Sequence, residues 1–145
     1  MSQTPDLGSL TGVWTYRSFL NDPNLATQYK DYLFGSGYIT IDDAPMGVFR
    51  GRIGDTGWSL ELNGSINYGY PYAVRFQGKG IVNGEEWIYD YLGFVIPPWP
   101  NGVNQVPAMV GSIVRTIPHS GSAPKTVSPA GVTASWIAVW NKAKA

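Results

Sequence analysis

In the segment GWSLELNGSI (Gly57–Ile66), Trp58, Leu60 and Leu62 alternate with Ser59, Glu61 and Asn63. Strict period-two alternation puts one set of side chains on each face of a pleated ribbon, and a helix cannot segregate them that way. The pattern recurs along the chain. Eight strands are predicted: Gly12–Phe19, Tyr38–Asp43, Met46–Ile53, Gly57–Ile66, Tyr70–Val82, Glu85–Ile96, Ala108–Ile117 and Ala130–Trp140. DDAP at 42–45, GDTG at 54–57 and NGE at 83–85 are short connections rich in turn formers. A parallel crossover needs a dozen residues or more, so these connections require antiparallel neighbours. Eight strands joined in this way predict a single all-β domain over 1–145, an antiparallel up-and-down barrel.

Three connections are longer: Leu20–Gly37, Pro97–Pro107 and Pro118–Pro129. In the first, Asn21 or Asp22 can cap a short helix near 22–34, with Pro23 in its first turn. Leu25, Tyr29, Tyr32 and Leu33 would share its apolar face. The third, around HSGSAPKTVSP, reads as a flexible or extended surface loop. Six Trp, nine Tyr and five Phe, with 18 Gly and 11 Pro, suit strands and tight turns better than helices.

Charge excludes several function classes. The formal net charge is zero and 14% of residues are charged, so no basic surface for nucleic acid is expected. Cysteine is absent, which removes disulfides, thiolate chemistry and Cys-based zinc sites. Asp42, Asp43 and Asp55 lack the spacing of a calcium loop, and GKG at 78–80 lacks the setting of a phosphate loop. No metal site and no cofactor is therefore implied. MSQTPDLGSL does not read as a secretory signal and no apolar run is long enough to span a membrane, so a cytoplasmic location is expected.

LTGVWTY, residues 10–16, resembles the Gly-x-Trp signature that opens the first strand of lipocalins and avidin-type barrels. YDY at 89–91 is similar to the Thr-Asp-Tyr element that lipocalins carry after their sixth strand. The resemblance to this calycin superfamily implies a barrel with Trp14 inside, and Tyr16 inside by alternation. There are departures. Lipocalins follow the barrel with a helix, and five residues follow Trp140 here. Their late Arg has no clear counterpart in Lys142 or Arg115. Tyr16 stands where avidin's biotin-contacting Asn would be, so biotin is disfavoured.

The stretch GEEWIYDYLGFVIPPWPNGVNQVP, Gly84–Pro107, concentrates the candidate site. Trp87, Tyr89 and Tyr91 form one stripe, with Trp58 and Trp136 on neighbouring walls. An eight-stranded barrel is just wide enough to be filled by side chains or to hold one small ligand. The rings therefore either line a pocket for an apolar or aromatic molecule or fill the barrel solid. Trp99 sits in a proline-stiffened loop that would gate a barrel mouth or pin one end shut.

Candidates for chemistry are fewer. His119, the only histidine, reads as an exposed loop residue unless a partner makes it catalytic. Glu86 and Asp90 share a strand face opposite the rings, where pairing with Arg75 is favoured over general-acid work. Binding without transformation leads. The rivals are an isomerase or cyclase using Tyr89, Asp90, Arg115 and His119, and a structural module with a solid core. Ile88, Leu92, Phe94, Ile137 and Val139 make several strands apolar on both faces, which suggests a homodimer.

Overall fold

A computed structural model describes residues 10–97 and 100–144. Eight strands close a barrel in meander order: β1 (Gly12–Leu20), β2 (Leu33–Ile41), β3 (Val48–Asp55), β4 (Trp58–Asn67), β5 (Ala73–Val82), β6 (Glu85–Val95), β7 (Ala108–Arg115) and β10 (Thr133–Trp140). Every pairing is antiparallel, and β1 closes the cylinder against β10 with Trp14 opposite Trp140 and Leu20 opposite Ala134. Two short strands, β8 (His119–Ser120) and β9 (Val127–Ser128), form a separate ribbon. Among the described residues no helix is long and apolar enough to cross a membrane.

Turn chemistry fixes the register. Asn83 and Gly84 both take positive φ, 51° and 81°, between Val82 and Glu85. Two central residues of that hand give the turn whose twist matches a hairpin, and Asn-Gly is the pair that adopts it at least cost. With that register, Val74, Phe76, Tyr89 and Tyr91 point inward while Arg75, Gln77, Asp90 and Leu92 point outward.

One half of the interior is packed solid. Phe49 stacks on Phe76 at 4.2 Å and Phe76 on Tyr91 at 4.6 Å, while Trp136 meets Phe76 edge-on at 5.9 Å. Glycine makes the space: a Cβ on Gly93 would stand 2.6 Å from the Trp136 ring. The alternation of large rings with absent side chains is how a narrow barrel accepts so many aromatics.

Three expectations need correction. The short helix expected near 22–34 is reduced to a single 3-10 turn at Tyr29–Tyr32, and β2 begins at Leu33, five residues before the expected Tyr38. Asp22 accepts from the Asn24 amide at 2.8 Å and from the Thr27 hydroxyl at 2.7 Å, and Asn24 accepts from the Ala26 amide at 3.0 Å. These local bonds compete with helical ones, and Leu25 and Tyr29, 94% and 87% exposed, are not buried against the barrel. Second, residues 118–129, expected as a flexible or extended surface loop, pair in part as the β8–β9 ribbon, which brings His119 opposite Ser128. Third, His119 is buried, at 7% exposure. The other strand ends fall within three residues of expectation.

Candidate functional site: an aromatic cavity at one end of the barrel

The other half of the interior is not filled. A cavity of about 340 Å³ opens at the end where β1 finishes, β2 starts, and the β3–β4 and β5–β6 turns lie. Tyr16, Trp58, Trp87, Tyr89 and Tyr91 line it, each at an inward position of its strand. Phe34, Leu60 and Ile113 complete the apolar wall, and Ser18 adds a hydroxyl. Among the described residues no charged side chain lines it.

The remaining predicted ring positions lie elsewhere. Trp14 is in the core toward the opposite end, its indole donating to the Leu10 carbonyl at 2.9 Å. Trp136 is packed beneath the cavity, 6.2 Å from Tyr16, and donates to the Ser112 carbonyl at 2.9 Å. Trp99 lies outside the described residues. β6 ends at Val95 and β7 begins at Ala108, both remote from the cavity.

At the cavity rim three of the four candidates for chemistry meet. Tyr89 and Arg115 are cross-strand partners on β6 and β7, and the Arg115 Nε donates to the Tyr89 hydroxyl oxygen at 3.1 Å. Arg115 also donates to the Pro129 carbonyl at 3.2 Å and lies over the Phe34 ring at 5.2 Å. It is 8% exposed, and no carboxylate pairs with it among the described residues. His119 Nε2 is 2.8 Å from the Tyr89 hydroxyl, and its ring stacks on Trp87 at 3.9 Å. The β8–β9 ribbon and Pro129 are thereby fastened to the barrel rim.

The fourth candidate, Asp90, faces outward and accepts from Gln77 Nε2 at 3.3 Å. Glu86 shares that face and pairs with Lys79 at 3.6 Å. The expected Arg75 pairing is not made, because the β5–β6 register sets Arg75 across from Leu92. These carboxylates stand in water, away from the cavity.

Burial first of all, and then the neighbouring Tyr89, raises the Tyr16 phenol well above its ordinary value, against partial lowering by hydrogen bonding to Ser18 and Tyr91. Burial likewise raises Tyr91, with Tyr16 and Tyr89 adding to it. The Tyr16 and Tyr91 rings meet edge-on at 6.4 Å, and Tyr89 lines the same cavity. Trp87 Nε1 is buried without a hydrogen-bond partner among the described residues. No group of three or more His, Asp or Glu side chains suited to a metal occurs among them.

Sequence reasoning missed Ser18, Phe34, Leu60 and Ile113. Ser18 and Leu60 follow Tyr16 and Trp58 by two residues, so alternation already placed them inside. Phe34 was hidden by the helical reading of its segment. A larger groove of about 710 Å³ lies outside the barrel, between Thr15, Arg17, Ile137 and Val139 and the 104–107 segment. It lies on the outward face of the sheet, and the convergent phenols are in the smaller, interior cavity.

No protein-family model, curated protein or solved structure matches the chain.

Proposed function

We propose that the chain binds a small apolar or aromatic molecule in the open end of a calycin-like barrel, without transforming it. The carrying observation is the cavity of about 340 Å³, walled by rings from β1, β2, β4 and β6 and dressed with a few hydroxyls. That volume is at the low end of small-molecule sites, which bury their ligands against apolar walls and orient them with few polar groups. The solid half of the barrel supports the reading, because a stacked floor holds the cavity shape before any ligand arrives.

A second reading is an isomerase or cyclase in which the Arg115, Tyr89 and His119 cluster moves a proton while the cavity holds the substrate. The convergence of these three side chains at the rim favours it.

Native mass spectrometry of protein purified without denaturation tests both. A co-purified small molecule displaced by Ile113→Trp, with the fold retained, supports the site. Incubation with fresh molecule separates the readings: unchanged mass and isomer composition mean a binder, altered composition an enzyme. A binding signal insensitive to Ile113→Trp removes the cavity from the account.

A further inference from the structure

Proton roles around Tyr89 are decided by its neighbours. The Ser120 carbonyl can only accept, so His119 Nδ1, 2.9 Å away, carries the ring hydrogen. In a neutral imidazole Nε2 then has a lone pair and no hydrogen, and its 2.8 Å contact is filled by the Tyr89 O–H. Arg115 Nε can only donate, and it occupies one lone pair of the same phenol oxygen at 3.1 Å. The hydrogen of Tyr89 is committed to His119, leaving one lone pair on its oxygen. The Ser18 hydroxyl donates to the Gly35 carbonyl at 3.4 Å, and the hydroxyls of Tyr16 and Tyr91 are hydrogen-bonded to each other. Tyr89 cannot turn.

We infer that Tyr89 is a fixed hydrogen-bond acceptor on the cavity wall, so that the site takes planar aromatic molecules bearing a hydroxyl donor. The inference rests on the binding reading and adds the ligand class. Arg115 makes the acceptor geometry rigid, and His119, held by its stack on Trp87, sets its polarity. Both are positioning residues, for neither lines the cavity. Tyr89 lines the same cavity as Tyr16 and Tyr91.

The test uses four probes on one ring system: 2-naphthol, 2-methoxynaphthalene, naphthalene and 2-naphthoate. Affinities are read by calorimetry and by quenching of Trp fluorescence. The wild-type chain is expected to bind 2-naphthol about tenfold more tightly than the methoxy compound, the size of one neutral hydrogen bond. His119→Phe keeps a ring against Trp87 but releases the Tyr89 hydrogen, so the methoxy compound gains and the ratio falls below about threefold. Tyr89→Phe removes the ratio as well. Circular dichroism verifies that each variant is folded, and if one is not, the other still decides. Equal binding of 2-naphthol and the methoxy compound to wild type overturns the inference, as does tightest binding of 2-naphthoate, which would make Arg115 a direct reader of charge. If none of the four binds, the binding reading itself falls.

Discussion

The Tyr89 hydroxyl and His119 Nε2 stand 2.8 Å apart, joining β6 to a ribbon that begins thirty residues later. Their bond and the Trp87 stack join the bonds from Arg115 to the Pro129 carbonyl, from the Ser120 amide to Glu85 and from Thr116 to the Ile88 carbonyl in attaching residues 116–132 to the barrel. Replacing His119 with Ala removes the acceptor and the stack together. The expected loss is about 1–3 kcal/mol, the cost of leaving a buried hydroxyl partly unsatisfied. Urea unfolding measures it, and a midpoint equal to wild type would mean the ribbon is held by other contacts.

The stacked floor should dominate stability. Phe76 touches Phe49, Tyr91 and Trp136, so Phe76→Ala is expected to cost about 3–5 kcal/mol. Phe94, on the same sheet but facing outward at 48% exposure, should change stability by less than about 1 kcal/mol as Ala. Denaturant midpoints of the pair provide the comparison, and similar losses would contradict the inward–outward assignment.

Alkaline behaviour follows from the raised phenols. Tyr16 and Tyr91 stay neutral in the folded chain above their ordinary value of 10.0, chiefly because burial penalises the phenolate. Unfolded, they ionise near that value. Because the folded values are the higher ones, their contribution to stability is complete below about pH 10 and is lost as pH rises toward the folded values. Ultraviolet titration should therefore show two tyrosines that ionise only as the barrel unfolds. Tyr91→Phe should remove one of them and flatten the alkaline decline. Full ionisation of all nine tyrosines in one step, with the fold intact, is the contrary result.

Glycines at two sites should respond differently. Gly84 has φ of 81° and open space around it, so Gly84→Ala is charged only for the left-handed backbone, about 1–2 kcal/mol. At Gly111 a Cβ would overlap the Leu92 carbonyl of the neighbouring strand. Gly111→Ala should cost more than about 3 kcal/mol or prevent folding. Thermal unfolding of the two variants ranks them, and the reverse order would mean that β6 and β7 are not this close.

Much of the architecture was legible before any coordinates. Alternation in β4, β5 and β6 and the Asn83–Gly84 turn name the strands, their direction and the inward faces, because a pleated strand has a period of two and a tight turn admits few residues. Leu33 to Gly37 was not legible. Its helix-like spacing of Leu25, Tyr29, Tyr32 and Leu33 competed with local side-chain bonds from Asp22 and Asn24 that periodicity does not register. Phe34 was lost to the site with it.

By itself the sequence determined a meander of antiparallel strands, zero net charge, and which rings point inward, all of which depend on residue type and near neighbours. Only the tertiary structure decided that one half of the barrel is stacked solid and the other left open. It alone brought Arg115 and His119 together on the Tyr89 oxygen and turned Asp90 away. Those outcomes depend on the depth of each ring along the barrel axis and on register between strands far apart in the chain, which are settled by packing all eight strands at once.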